Sequence, residues 1–165
     1  MIGIRPYRAE DRAACKAIYY RAVREGARPA YTQAQLALWA TSPEVDHSQP
    51  DRMLEQWAYV ATQDGRLTGF MSMTPEGYLD LAFVLPEVRG LGHAAALYDR
   101  LLARAYQARL PRLNVHASRL FRPFLLRRGW QVDAVEQHPV GNERLERFVM
   151  SLHLPAEAGP APVPG

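Results

Sequence analysis

The chain is predicted to fold as an α/β domain with a mixed, mostly antiparallel central sheet flanked by helices. Three observations carry this expectation. Three strand-like runs follow closely between Trp57 and Leu85, separated by the turn signals Asp64-Gly65 and Glu76-Gly77. The third run leads through a glycine-containing turn into a long amphipathic segment, Gly92 to Ala108, with Leu97, Leu101 and Ala105 on one face. A buried-type run, Leu113 to Ala117, then precedes a short helix and two final strands.

The elements follow in order. Ile2 to Arg8 reads as a short strand. From Glu10 to Gly26, Ala14, Ile18 and Ala22 recur at helical spacing; Asp11 suits the first turn and Gly26 the end. Thr32 caps a second helix, Gln33 to Ala40, and Gln35 completes a capping box. Ser42 to Pro50 is loop, and Asp51 to Gln56 a helical turn. The three strands are Trp57–Thr62, Leu67–Met73 and Tyr78–Leu85, the last stopped by Pro86. Arg119 to Arg128 forms a short helix closed by Gly129. The last strands cover Trp130 to Gln137 and Arg144 to Leu154, with Gly141-Asn142 at their turn. The folded domain spans residues 1–154, and the proline-rich run from 155 to 165 reads as a disordered tail.

Composition narrows the class. The 165 residues are 48% apolar and 22% charged, which suits one globular core. No apolar run approaches the roughly 18 residues of a membrane span, and no apolar leader opens the sequence, so a cytoplasmic domain is expected. The single cysteine, Cys15, fits a reducing compartment; mid-helix beside Ala14 and Ile18, it reads as a small core residue and not a nucleophile. The net charge of +3 is spread along the chain, which argues against nucleic acid as a partner. Arg119, Arg122, Arg127 and Arg128 form the one local cluster, either a solvated helix face or an attractor for a phosphate-bearing ligand. No histidine or cysteine spacing suggests a metal site.

The stretch that carries chemistry runs from Asp80 to Ala94. Glycines let the backbone approach a ligand closely, and the first amides of a helix have no partners. With the helix dipole they form an anion site suited to a pyrophosphate, beside the cation of Arg89. Two other phosphate loops fail here. A Walker loop requires Gly-Lys-Ser/Thr, whereas His93-Ala94 follow Gly92; a dinucleotide fingerprint requires a third glycine and a different strand order.

Val84-Leu85-Pro86-Glu87-Val88-Arg89-Gly90-Leu91-Gly92-His93-Ala94 resembles the acetyl-CoA signature of the GNAT superfamily of N-acetyltransferases, Arg/Gln-x-x-Gly-x-Gly/Ala after a Val-x-Pro strand end. Arg89, Gly92 and Ala94 meet its positions. The likeness continues in Ile4-Arg5-Pro6-Tyr7, in Tyr31 to Trp39, in Tyr78-Leu79-Asp80 and in Phe121 to Trp130, and is similar to a group of small bacterial members.

This resemblance implies a sheet splayed between its fourth and fifth strands, with acetyl-CoA as co-substrate and no metal. The pantetheine arm lies in the splay along a bulged fourth strand, at Phe83 and Val84. The pyrophosphate sits on the amides of Arg89, Gly90, Leu91, Gly92, His93 and Ala94. Ser118 occupies the place of an asparagine that touches pantetheine in many members, and Phe121 and Phe124 line the far side.

Transfer to an amine requires a base, a donor to the thioester oxygen and a proton for the thiolate. Direct transfer in a ternary complex needs no covalent intermediate. Asp80 is the candidate base, an ion pair being its other reading. The N–H of Val84 is the candidate oxyanion donor. Leu125 stands where the family often has a proton-donating tyrosine, which leaves Tyr31, Tyr78 and His116 as substitutes. The acceptor is a small-molecule or protein amine, and a homodimer through the last two strands is expected. The alternative is a non-catalytic acyl-CoA sensor or partner protein on the same fold.

Overall fold

The computed structural model describes residues 1–155. The tail predicted for 155–165 therefore lies outside the described residues, apart from Pro155. The elements in chain order are β1 (Gly3–Pro6), α1 (Arg12–Arg24), α2 (Gln33–Trp39), β2 (Trp57–Gln63), β3 (Arg66–Met73), β4 (Tyr78–Val84), α3 (His93–Gln107), β5 (Arg112–Ala117), α4 (Arg122–Leu126), β6 (Gln131–Val140) and β7 (Glu143–His153).

Local chemistry sets most boundaries. Thr32 Oγ1 accepts from the Gln35 amide at 3.1 Å while Gln35 Oε1 accepts from the Thr32 amide at 2.9 Å, so the predicted capping box opens α2. Asp64 (φ 54) and Gly65 (φ 76) both take positive φ, as a two-residue hairpin turn of the primed type requires. α1 starts later than predicted, after a 3-10 turn at Ala9–Asp11. The Asp11 carboxylate is held there by Arg5 and by the Arg8 amide. α4 is shorter than predicted, because Ser118 takes up the preceding turn: its carbonyl accepts from Arg122 N–H and its hydroxyl from Phe121 N–H.

The seven strands form one sheet in the order β1-β2-β3-β4-β5-β7-β6. All neighbours are antiparallel except β4 and β5. That parallel pair is brief: Tyr78 faces Asn114 and Leu79 faces Val115, and beyond them the strands part. The sheet is thus splayed between its fourth and fifth strands.

Alternation along the strands feeds two faces. On one, Leu97, Leu101 and Ala105 of α3 pack on Tyr59, Ala61, Met71 and Leu79, and this core continues through Leu113, Leu125, Trp130 and Met150. On the other, Cys15 and Ile18 of α1 cover Val60, Phe70 and Leu85. Leu36 of α2 closes the same face with Val23, Ala27 and Leu145. Cys15 is the buried apolar residue its spacing predicted, and desolvation pushes its thiol up to about 12. No helix among the described residues is long and apolar enough to cross a membrane.

Candidate active site

The gap left by β4 and β5 is the floor of a cavity of about 470 Å³. Ala82, Phe83 and Val84 of β4 form one wall; Ser118, Leu120, Phe121 and Phe124 form the opposite one. Leu85 N–H donates to the Thr68 carbonyl at 2.8 Å, across the seam with β3. Peptide groups alternate along a strand, so the N–H groups of Ala82 and Val84 point to the other edge, into the gap. An extended ligand can pair with that edge as an added strand.

The strand's irregularity does not lie at Val84. Ser72 faces Leu81 and Met73 faces Leu79, which leaves Asp80 as the extra residue of a bulge. The bulge also breaks simple two-residue alternation along β4: Leu79 packs with Ala82 under α3, while Leu81 and Phe83 pack on the α1 side.

At the upper end of the cavity, Gly90 (φ 76) and Gly92 (φ 94) shape the turn into α3. Arg89 and Leu91 amides already donate to Pro86 and Val88 carbonyls. The N–H groups left over are those of Gly90, Gly92, His93, Ala94 and Ala95, at the positive end of a 15-residue helix. Arg89 sends its guanidinium back to the Gly26 carbonyl, and desolvation there holds its pKa below the usual arginine value. Gly26 is required at that point, since a Cβ would come within 2.6 Å of the Ala22 carbonyl oxygen, a backbone atom, as well as crowding the Arg89 guanidinium. Arg127 and Arg128 stand further along the wall, with Arg128 3.6 Å above the Phe124 ring. Among the described residues none of these three arginines has a carboxylate partner, so the cavity offers uncompensated positive charge to an anion.

Most of the predicted coenzyme residues come together here, with two exceptions. Leu91 projects into solvent. The His93 ring is buried away from the cavity, its Nδ1 2.7 Å from Thr68 Oγ1; burial and the nearby Met1 amine lower its pKa. Sequence reasoning missed the wall formed by Ala22 and Val23 of α1 and by Ala27 just beyond it. It saw Arg127 and Arg128 within a charge cluster, read either as a solvated helix face or as an attractor for a phosphate-bearing ligand.

A second cavity, of about 350 Å³, meets the first at Trp39 and Ser118, which line both. Tyr31 and His116 lie in its wall. Tyr31 Oη accepts from the Arg119 amide at 2.9 Å, and burial raises the pKa of this phenol. His116 is the first residue of β5 past the paired segment; its Nδ1 lies 2.8 Å from Tyr78 Oη. Partial desolvation, with the Arg147 charge nearby, lowers its pKa. Asp80 lines neither cavity. Its Oδ2 accepts from Gln56 Nε2 at 2.8 Å and pairs with Arg52 Nε at 3.1 Å. Leu125 is fully buried in the core and supplies no proton.

Residues 27–146 match the family model of the acetyltransferase (GNAT) domain. The chain belongs to the GNAT acetyltransferases. The uncharacterized N-acetyltransferase YafP of Escherichia coli (strain K12) is 33% identical over 131 residues, 79% of this chain and 81% of that protein. A GCN5-related N-acetyltransferase of Rhodopseudomonas palustris (aminotransferase, class-II) superposes with a TM-score of 0.86 at 26% identity, covering 92% of this chain and 95% of that one. The fold is shared with the PaiA N-acetyltransferase of Thermoplasma acidophilum, solved with coenzyme A (TM-score 0.73, 14% identity, 93% and 99% covered). It is shared also with YncA of Salmonella typhimurium, a putative acetyltransferase solved with acetyl-CoA (TM-score 0.66, 22% identity, 94% and 95% covered).

This GNAT acetyltransferase is an enzyme that moves an acetyl group from acetyl-CoA to an amine. The first cavity fits the co-substrate on its own chemistry. It joins unpaired amides and uncompensated arginines for phosphates to an apolar slot with an open main-chain edge for the pantetheine arm. The relatives give no support to a catalytically silent sensor.

Proposed function

We propose that acetyl-CoA lies in the first cavity and the acceptor amine in the second, with direct transfer where they meet at Trp39 and Ser118. The shared wall carries this reading, because it lets two reactants touch without either crossing the core. His116 is the base. It borders the second cavity, and its lowered pKa keeps the ring neutral at neutral pH. With Nδ1–H donating to Tyr78 Oη, the lone pair on Nε2 is left to take the amine's proton. Tyr31, kept protonated by burial, supplies the thiolate's proton. The N–H of Val84 faces the thioester oxygen, and the hydroxyl of Ser118 lies beside the arm.

A second reading keeps Asp80 as the base, favoured by its place at the bulge where the strands part. The two separate by experiment. Under the first, His116→Gln lowers kcat roughly 100-fold and removes the acid limb of the rate profile, which lies below the ordinary imidazole range near 6.5. Asp80→Asn then costs far less, and both variants bind acetyl-CoA normally by calorimetry. The reverse ranking assigns the proton to Asp80.

The setting belongs to the same proposal. A cytoplasmic enzyme fits the single buried thiol. A homodimer through the β6–β7 hairpin fits the exposed Val132 and Val135 on edge strand β6, and sedimentation tests it.

A further inference from the structure

The second cavity carries enough chemistry to name the class of amine it takes. We infer that it selects a primary amine bearing a carboxylate on a small apolar body, as an apolar α-amino acid does. This rests on the reading that the first cavity holds acetyl-CoA.

Strand register composes the floor. His116 faces Val149, Arg147 faces Glu136 and Leu145 faces His138, so His116, Arg147, Leu145 and His138 share one face of the sheet. Leu38 and Trp39 of α2 lie opposite. Apolar surface thus covers a floor that carries an arginine and two histidines.

The acids in reach are already engaged. Glu146, the one carboxylate in the wall among the described residues, accepts from Arg119 Nε at 3.1 Å and from Gln137 Nε2. Glu136 takes only the Nε of Arg147, at 2.8 Å. A polyamine or aminoglycoside would therefore meet, among the described residues, only the second oxygen of Glu136, a carboxylate already paired with Arg147. The terminal nitrogens of Arg147 have no partner among the described residues, and their planar fork suits an incoming carboxylate. Arg147 is the diagonal cross-strand neighbour of His116, about 7–8 Å away between Cα atoms. An arginine side chain spans that distance, so one ligand can present its carboxylate to Arg147 and its amine to His116.

The step balances simply. The ammonium gives one proton to His116, and the freed amine attacks the thioester carbon. The C–N bond forms as the C–S bond breaks, the thiolate takes the Tyr31 proton, and the second nitrogen proton restores that phenol. The products are the N-acetyl amino acid, coenzyme A as thiol, and one proton released to solvent from His116.

The test compares acceptors that differ only in the acid: phenylalanine with phenethylamine, and leucine with isopentylamine, alongside spermidine. The proposal expects the amino acids to have the higher kcat/KM. Arg147→Met should raise their KM roughly ten- to hundred-fold with little change in kcat, collapsing that preference. Arg147→Lys should restore part of it, which a purely structural loss would not do, and acetyl-CoA binding by calorimetry confirms that the variants fold. Equal or better use of the acid-free amines, preference for spermidine, or an Arg147→Met defect falling equally on both members of a pair overturns it. Acetyl-CoA binding with no amino acid acetylated also overturns it while leaving the coenzyme reading intact; absent coenzyme binding removes that reading as well.

Discussion

Asp11 has only 5% of its surface exposed, yet it is charged. It holds Arg5 through two bonds of 2.8 and 2.9 Å and accepts from the Arg8 amide at 2.8 Å, tying β1 to the start of α1. The Arg5 hydrogen bond comes first among the causes that hold its pKa below the usual carboxylate range. Asp11→Ala is expected to cost about 2–3 kcal/mol in chemical denaturation, less than a fully buried pair because Arg5 keeps contact with water. The unfolded chain binds this proton more readily, so the contribution is full above the unfolded value near 3.9 and is lost as pH falls through the folded one. A variant as stable as the parent at neutral pH would refute this account. At this scale the sequence is legible where partners are near: Asp11 at a helix start, Thr32 with Gln35. It is silent where they are distant, as with Asp80, whose ligands Arg52 and Gln56 come from the turn before β2.

Strand β4 is shaped by its neighbour. Gly69 of β3 faces Val84, and a Cβ there would lie 2.7 Å from Val84 Cγ1, 3.0 Å from the Phe83 carbonyl and 3.3 Å from Val84 Cα. Most of these are backbone or short-chain atoms, so β4 itself must move toward the gap. Gly69→Ala is expected to cost about 1–3 kcal/mol and to raise the KM for acetyl-CoA several-fold, read from a denaturation midpoint and initial rates. An unchanged KM would show that the slot tolerates displacement of its wall. Turns such as Asp64-Gly65 are legible because two residues decide them. The bulge at Asp80 is not, because a bulge belongs to a pair of strands, and its place depends on how Met73 and Leu79 meet.

Across the whole molecule, the two halves of the sheet touch along β4 and β5 for two residue pairs only. Acetyl-CoA bound in the gap spans both halves. Amide exchange followed by mass spectrometry should therefore slow most in β4 from Ala82 to Val84 and in the turn from Gly90 to Ala94, with little change in the distant β1–β2 pair. Uniform slowing would point to general stabilisation instead. The order of strands and helices, the splay and the glycine turn into α3 were legible because each is coded over a short stretch. The second cavity was not. Its wall draws on α2, β5, β6 and β7, and the importance of Arg147 emerges only when the register sets it diagonal to His116.

The side of β4 that faces the gap is drawn in peptide groups, which any amino acid supplies. Mutations can therefore accumulate along it without removing that edge, whereas the chamber beyond Trp39 is lined by side chains and changes with them. Such a scaffold can keep one reactant while substitutions change the other. That division of labour explains how a chain sharing 14% of its residues can keep the same architecture.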